Sequence, residues 1–254
     1  MINFGLALNI SGAESKSDKD VISEFYKLGD LAELLGFYSL FVFEHHFSDY
    51  ILSPAPLQTL SYFAGRTQKI KLGTSVIVLP LNQPITIAEQ ISLLEILSCG
   101  RGIYCFGKGR SKTEYDGLGI SIHESKSRFL EEVEIIQGLL SNEIFSYKGE
   151  FYSIPSIVIR PQTFNNPQHF FYGSASSIDS IKLMAELGLG LITTCNDDWS
   201  KLKESVVLHK NYSKLNSQIA QRPILFVLVA IDEIREKAFE RAYKYMEKDL
   251  ILTK

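Results

Sequence analysis

The chain has 254 residues, of which 45% are hydrophobic, and this is enough apolar material for a buried core in one large domain or two small ones. Its 26 basic and 29 acidic side chains leave a net charge of −3, so it lacks the basic excess that nucleic acid or an anionic membrane attracts. The composition excludes a mainly disordered chain and argues against nucleic acid as a partner.

Short apolar runs alternate with amphipathic stretches of helical period, which is typical of successive βα units on a parallel sheet. Seven runs are predicted to be strands: 4–9, 39–44, 71–79, 102–107, 170–173, 189–194 and 225–231. Helices are predicted over 21–35, 57–66, 87–97, 124–140, 178–187, 201–215 and 233–250.

Several of the predicted strands are continuously apolar, as 77–79 and 225–229 are, and this indicates strands that are buried on both faces. We therefore expect a TIM-type (β/α)8-like barrel of the α/β class. A long excursion over about 108–169 holds a helix and a predicted hairpin, with 145–147 and 151–152 flanking Lys148 and Gly149. Since the sequence shows no linker or repeat, we predict one domain over 1–254.

The three cysteines, Cys99, Cys105 and Cys195, show no CxxC or Cys/His spacing, which argues against a disulfide scaffold and against a metal site. The first residues carry no basic leader, and no stretch reaches the roughly 18 uncharged apolar residues that a membrane span needs. We expect a cytoplasmic protein with no membrane association.

Glu44, His45 and His46 lie at the C-terminal end of the second predicted strand, where barrel enzymes place their catalytic groups. Neighbouring strand residues point to opposite faces, so only one of the two histidines is expected to reach the barrel mouth. Histidine titrates near neutral pH and is a common proton carrier, although a single histidine in a loop is more often structural. Both interpretations stay open on this evidence.

Small residues lead from the fifth predicted strand into a helix, in the order Ser174, Ala175, Ser176 and Ser177. The free N–H groups and the dipole of a helix start favour an anion, typically phosphate, and late barrel strands often carry such a site. Ordinary capping of the helix by Ser176 or Ser177 is the alternative.

The fourth predicted strand ends in Gly107, Lys108, Gly109 and Arg110, where glycines permit close backbone approach and the cations can contact an anion. The pattern is not a dinucleotide fingerprint, because Lys112 stands in the place of the third glycine. Solvated cations are the alternative interpretation, and it suits Arg110 better than Lys108.

Further short motifs occur in order along residues 1–195. They are Phe4-Gly5-Leu6, Gly36-Phe37, Glu44-His45-His46-Phe47, Gly73-Thr74, Leu79-Pro80, Pro84 with Ala88-Glu89-Gln90, Ser98 with Gly100-Arg101, Ser174-Ala175-Ser176 and Ala185-Glu186-Leu187-Gly188. Together they resemble the bacterial luciferase-like family of flavin-dependent monooxygenases.

The resemblance implies a barrel that binds FMN, with the flavin ring in the mouth. His45 resembles the catalytic histidine of the family, and Glu44 is its candidate orienting partner. Ser75 and Val76 correspond to the end of strand three, which packs against the flavin and often contains a non-prolyl cis peptide.

The same resemblance places the FMN phosphate between Lys108-Gly109 and the turn formed by Ser174, Ala175, Ser176 and Ser177. Ser174 and Ser177 match the phosphate-binding hydroxyls of the family, whereas Lys108 stands where an arginine is usual. Lysine lacks the planar fork that grips phosphate in two places, and Cys105 replaces a usual glycine.

The implied function is oxygenation of a small organic substrate by reduced FMN and O2, with a separate flavin reductase and a homodimeric assembly. A flavin-binding homologue without catalysis, or an F420-dependent oxidoreductase of the same fold, are the alternatives. Barrels of this type have eight strands, so seven visible strands imply a barrel that is incomplete at its C-terminal end.

Overall fold

The structure, a computed structural model, describes residues 2–8, 16–48, 51–162, 170–194, 198–218 and 220–252, the last nine of these by their backbone only. The strands are β1 (Gly5–Leu8), β2 (Ser39–Val42), β3 (Lys71–Thr74), β4 (Ile77–Val78), β5 (Gly102–Gly107), β6 (Phe145–Lys148), β7 (Ser153–Ile157), β8 (Phe171–Ser174), β9 (Gly190–Thr194) and β10 (Ile224–Phe226).

The helices are α1 (Asp18–Leu34), α2 (Pro56–Ala64), α3 (Pro84–Ser98), α4 (Lys112–Gly117), α5 (Ser125–Ser141), α6 (Ile178–Glu186), α7 (Trp199–Leu215) and α8 (Arg235–Leu252). Local sequence explains several boundaries. Ser17 caps α1 by accepting a hydrogen bond from the backbone N–H of Asp20, and α2 and α3 begin at prolines, which need no helical N–H partner.

One parallel sheet forms the centre of the molecule, with the strand order β1-β2-β3-β5-β8-β9-β10 and with β4 paired to β5. The order follows the chain, as expected for successive βα units. The predicted α/β barrel class is therefore confirmed, each of the seven predicted runs contributes a strand, and the sheet is nearly closed.

Side chains alternate between two apolar layers along each strand. On β5, Tyr104 and Phe106 face the helices, whereas Ile103 and Cys105 face the inside of the barrel. The interior set takes residues from six of the strands on this path: Ala7, Phe41, Ile103, Cys105, Tyr172, Ile192, Ile224 and Phe226. The interior is thus a packed apolar core below the mouth, as in other barrels.

Gly73 shows how tightly this interior is filled. A Cβ on Gly73 would lie 2.3 Å from the ring of Phe41, so only glycine allows β3 to pass beside that ring. The ring of Phe41 also meets that of Phe226 at a centroid distance of 5.5 Å, which ties β2 to β10 across the barrel.

Two of the predicted strands need correction. The run 71–79 is not one strand, because β3 ends at Thr74, β4 spans only Ile77–Val78, and a 3-10 turn follows over Leu79–Leu81. The last strand was predicted over 225–231 and forms only at Ile224–Phe226, where β9 offers a partner on one side. An apolar run without a second neighbour lacks the hydrogen bonds that would extend it.

Arg101 closes the amino-terminal end of the barrel. Its buried guanidinium donates five hydrogen bonds: Nε to Ser98 O, Nη1 to Thr67 Oγ1 and Ile70 O, and Nη2 to Ala64 O and Thr67 O, at 2.7–3.1 Å. A buried charge is tolerated when every donor is used in this way. The Gly100-Arg101 motif therefore has a structural role at the end opposite the mouth.

The excursion after β5 holds the predicted helix, α5, and an antiparallel hairpin of β6 and β7, as predicted. The second strand of the hairpin spans Ser153–Ile157 and not the predicted 151–152, and the short helix α4 was not predicted. The hairpin is fastened to α5 by Glu132, whose Oε1 accepts a hydrogen bond from the hydroxyl of Tyr152. Glu132 is fully buried and its Oε2 has no hydrogen-bond partner among the described residues. Burial raises the pKa of Glu132 to about 7.

The raised pKa of Glu132 predicts a pH-dependent stability. The unfolded chain ionises this carboxyl near pH 4.5, whereas the folded protein keeps it protonated up to about pH 7. The stability that the group contributes is therefore complete below pH 4.5 and is lost as the pH rises through 7. The free energy of unfolding of Glu132→Gln, minus that of the wild type, should therefore increase as the pH rises from 4.5 to 7. The increase should be on the order of 3 kcal/mol at most.

Urea unfolding at several pH values between 4.5 and 8 measures that difference. The control is Glu134→Gln, which removes an exposed carboxylate from the same helix and should give a small difference at every pH. A difference for Glu132→Gln that does not change with pH would contradict the assignment.

β1 and β10 form the two edges of the sheet, and no pairing joins them within the described part of the chain. Apolar side chains are exposed on both sides of this seam: Ile2, Phe4, Leu225, Val227, Leu228, Val229 and Ile231. The described side chains of α8 are themselves exposed or half-exposed and do not bury the seam. An apolar sheet edge of this kind favours pairing with another chain.

We therefore predict that the protein self-associates through the seam. Leu228 and Ile231 are 71% and 76% exposed, and burying such a side chain contributes about 1.5–3 kcal/mol. The double substitution Leu228→Lys with Ile231→Lys should raise the dimer dissociation constant at least roughly tenfold in sedimentation velocity. Leu34→Lys, an equally exposed position on α1, is the control. A monomeric wild type, or dissociation caused by Leu34→Lys alone, would contradict the prediction.

Candidate active site

All the predicted site residues follow strands at one edge of the sheet. Because the strands are parallel, their carboxyl ends meet at the same side of the barrel. The loop after β2 carries Glu44, the loop between β3 and β4 carries Ser75, and the loops after β5 and β8 carry Lys108 and Ser176. The fold thus brings four separate stretches of sequence to one mouth.

Glu44 is buried at the end of β2 and is 4% exposed. Its Oε2 accepts a hydrogen bond from the backbone N–H of Val78 at 2.8 Å, and its Oε1 accepts one from Nδ2 of Asn82 at 2.8 Å. Nε2 of His46 lies 3.1 Å from the same Oε1, and this hydrogen bond raises the pKa of the His46 imidazole. Glu44 therefore joins the end of β2 to β4 and holds His46.

His45 is held by a different carboxylate. Its Nδ1 lies 3.0 Å from Oε1 of Glu114, and the same oxygen accepts the backbone N–H of His46 at 3.1 Å. The rings of His45 and His46 thus form hydrogen bonds with different carboxylates, in keeping with the expected divergence of neighbouring residues. Glu44 was predicted as the orienting partner of His45, and the structure gives that place to Glu114.

Glu114 was absent from the predicted site because the six-residue helix α4 was not predicted. One signal for it does exist, since Ser111-Lys112-Thr113-Glu114 has the Ser-x-x-Glu spacing of a helix start. Ser111 caps α4 by accepting the backbone N–H of Glu114 at 3.3 Å. What the spacing does not indicate is that the side chain of Glu114 reaches a histidine 69 residues earlier in the chain.

The peptide bond between Ser75 and Val76 is cis, as the family resemblance implies. The backbone N–H of Ser75 donates to the carbonyl of Val42 at 2.8 Å, and Val76 packs on the interior apolar set. The side chain of Thr74 connects β3 to β5. Its Oγ1 accepts a hydrogen bond from the backbone N–H of Cys105 and donates one to the carbonyl of Cys105. These residues form one wall of the mouth.

The loop after β5 carries Lys108, whose side chain is exposed. Its carbonyl accepts a hydrogen bond from the hydroxyl of Tyr115, which fixes the backbone of the loop. Gly107 and Gly109 allow the loop to pass close to β4: a Cβ would lie 2.6 Å from Val76 in the first case and 2.7 Å from Val78 in the second. Gly109 also has a φ of +69°, which favours glycine.

The serine turn after β8 has mixed roles. Ser174 and Ser176 are exposed, whereas Ala175 is buried and its N–H donates to the carbonyl of Ile192 at 3.2 Å. Ser177 caps α6 in a reciprocal capping box with Ser180, so its hydroxyl already has a structural role. The capping alternative from the sequence is therefore correct for Ser177, and Ser174 and Ser176 are the exposed hydroxyls of the turn.

The Lys108 loop and the serine turn lie side by side. β5 and β8 pair in parallel with Phe106 opposite Gly173, so Lys108 and Ala175 each follow at the same level, two residues further on. A cation, two hydroxyls and the start of a nine-residue helix thus lie on two adjacent loops of the mouth, next to the wall formed by Val76. Such a combination can bind a phosphate group.

A family model described as luciferase-like monooxygenase matches residues 2–251. The chain belongs to this family. The family assignment made from the sequence is therefore confirmed, and it covers the region after 195 as well.

Two curated relatives show the level of similarity. The beta chain of alkanal monooxygenase from Photorhabdus luminescens is 28% identical over 197 residues, which are 77% of this chain and 60% of the relative. The oxygenase component of the flavin-dependent trigonelline monooxygenase from Acinetobacter baylyi is 23% identical over 218 residues, 85% of this chain and 60% of the relative. The chain thus spans about 60% of the length of these proteins.

Solved structures agree on the fold. A monooxygenase from Streptomyces bottropensis superposes with a TM-score of 0.86 at 23% identity, covering 97% of this chain and 79% of the other. The oxygenating constituent of 3,6-diketocamphane monooxygenase from Pseudomonas putida, in complex with FMN, gives 0.74 at 17% identity, covering 88% and 66%. An F420-dependent secondary alcohol dehydrogenase gives 0.81 at 16% identity, covering 94% and 72%.

Among the helices that the structure describes, none combines the length and the apolar character needed to cross a membrane.

Proposed function

We propose that the protein is the oxygenating component of a flavin-dependent monooxygenase, which uses reduced FMN and O2 to oxygenate a small organic substrate. The observation that carries the proposal is the meeting, at one barrel mouth, of a carboxylate-held histidine and a phosphate-type site. His45 lies after β2 and the cation and hydroxyls lie after β5 and β8. Family membership and the relatives above support the reaction class.

The residues at the mouth fit FMN. Its phosphate is a small anion, for which Lys108 offers charge and Ser174 and Ser176 offer exposed hydroxyls beside the start of α6. The phosphate site would also include the backbone of Gly109, Ala175 and Ser177. The flat ring system would lie over the interior apolar set, against Ser75 and Val76. Lysine grips phosphate less firmly than the arginine usual in the family.

When bound, the reduced flavin supplies the electrons and the reaction with O2. The chain must bind the ring, exclude water and manage a proton. We assign the proton to His45, because its ring is oriented by a carboxylate at the mouth. Glu44 has an indirect role. It accepts hydrogen bonds from His46 and from the backbone N–H of Val78, and so connects the end of β2 to β4. The apolar interior limits access of water from below.

F420 is the second candidate cofactor, favoured by the structural similarity to an F420-dependent dehydrogenase. Its tail carries more negative charge than FMN, and the loop after β5 offers Lys108 and Arg110 as exposed cations. FMN is the better match to this small positive charge. A separate flavin reductase is the proposed partner, because one relative is named as the oxygenase component of its system. We propose a homodimer as the assembly.

The phosphate site predicts the effect of losing Lys108. A charge-assisted contact contributes about 1.5–3 kcal/mol, so Lys108→Ala should weaken FMN binding by roughly tenfold or more in a fluorescence titration. Lys112→Ala is the control, because Lys112 is an exposed cation of the same segment that pairs with Asp116. Unchanged FMN affinity in Lys108→Ala and in Ser176→Ala would contradict the proposed position of the phosphate. Tighter binding of F420 than of FMN would favour the second cofactor.

The assigned role of His45 predicts a loss of turnover without a loss of flavin. General acid–base catalysis is typically worth ~10²–10⁴ in rate, so His45→Ala should slow substrate oxygenation on that scale while FMN affinity changes little. Oxygen uptake and product formation with photoreduced FMN measure the rate without a reductase. If the wild type binds FMN and forms no oxygenated product with any of a panel of aldehydes, ketones and terpenes, the non-catalytic alternative is favoured.

A further inference from the structure

We propose that Glu114 is the positioning residue of His45, and that it keeps the proton of the neutral imidazole on Nδ1, so that Nε2 is the nitrogen that accepts a proton. The catalytic role of that proton transfer rests on the proposed function. The arrangement itself follows from the geometry of Glu114 and can be tested on the protein without flavin.

The hydrogen-bond pattern fixes the tautomer. Oε1 of Glu114 already acts as an acceptor, because the backbone N–H of His46 donates to it, so the ring nitrogen that lies 3.0 Å from the same oxygen is the one that carries the hydrogen. In a neutral histidine the other nitrogen is then the base. Glu114 is 4% exposed, so water competes little for this carboxylate.

The carboxylate is itself held in place on several sides. Oε1 accepts the N–H of His46 in addition to the ring of His45, which orients the acid relative to the loop after β2. α4 is capped by Ser111, and Phe47 packs on Gly117, where a Cβ would lie 2.4 Å from the ring. Glu114 therefore joins two loops of the mouth through a short, anchored helix.

The same helix begins immediately after the proposed phosphate loop. Tyr115, next to Glu114, donates its hydroxyl to the carbonyl of Lys108. Since Glu114 and Tyr115 are neighbours on α4, the position of the loop that carries Lys108 and the orientation of His45 depend on one element. Glu114 is thus placed to align the proton acceptor with whatever the Lys108 loop binds.

Three variants separate positioning from packing. Glu114→Ala removes the acceptor, whereas Glu114→Gln keeps an oxygen for the His46 N–H and removes only the charge. Asp116→Asn is the matched control, because it removes an exposed carboxylate two residues away on the same helix. None of the three removes a group that contacts the proposed phosphate site.

The first measurement is a long-range ¹H–¹⁵N correlation spectrum of the ring nitrogens at a pH where the histidines are neutral, with His45→Ala to assign the His45 signals. We expect the Nδ1–H tautomer for His45 in the wild type and in Asp116→Asn, and its loss or mixing in Glu114→Ala. An Nε2–H tautomer in the wild type, or an unchanged spectrum in Glu114→Ala, would overturn the inference.

The second measurement is steady-state oxygenation with photoreduced FMN. Partners that orient metal-binding histidines typically contribute about 10–100-fold to activity. Glu114 orients a histidine in the same way, so in Glu114→Ala kcat should fall by roughly 10–100-fold while the FMN dissociation constant stays within about twofold. Glu114→Gln should recover part of kcat, and its pH profile should differ from that of the wild type. An equal loss of flavin affinity in both variants, without a tautomer change, would indicate packing alone and overturn the inference.

The two proposals fail in different ways. If the wild type neither binds FMN nor forms product, the proposed function fails, and the tautomer spectrum still decides the role of Glu114. If His45→Ala is slow and Glu114→Ala has full activity and an unchanged spectrum, the proposed function stands and Glu114 is only structural.

Discussion

The structure depends on parallel strand pairing in chain order. Each strand of the central sheet runs in the same direction, so the loops that follow these strands lie at the same edge, and every second side chain faces the barrel interior. Residues as distant in sequence as His45 and Ser176 reach one mouth for this reason alone. The same pairing puts Arg101 at the opposite edge, where its five hydrogen bonds close the barrel and carry no part of the site.

Two buried carboxylates convert this general placement into a defined site. Glu44 connects the ends of β2 and β4 and holds His46, while Glu114 connects the loop after β2 to α4 and holds His45. Each carboxylate has at least two donors, which compensates for its burial. The two imidazole rings are therefore oriented by different carboxylates, and hydrogen bonds between loops fix the side chains of the mouth.

The open seam lies outside this ordered part. β1 and β10 each have one neighbour in the described sheet, and the apolar residues that follow β10 are exposed rather than packed. Phe226, the last residue of β10 itself, is packed instead, because its ring contacts those of Phe41 and Phe43 in the interior. The last strand thus contributes to the floor of the mouth although its own outer face is uncovered.

The sequence by itself determined the class of fold, the chain order of the strands and the family, because hydrophobic period and short motifs are local properties that survive without tertiary information. It also placed His45, Lys108 and the serine turn at strand ends, where direction alone puts them on one side. Tertiary structure decided the rest. The run 71–79 is divided between β3, which pairs with β2 and β5, and β4, which pairs with β5 alone, and β10 pairs with β9 over Ile224–Phe226. Only the packing of α4 against the loop after β2 gave His45 its carboxylate, since a hydrogen bond between residues 69 positions apart leaves no periodic trace in the sequence.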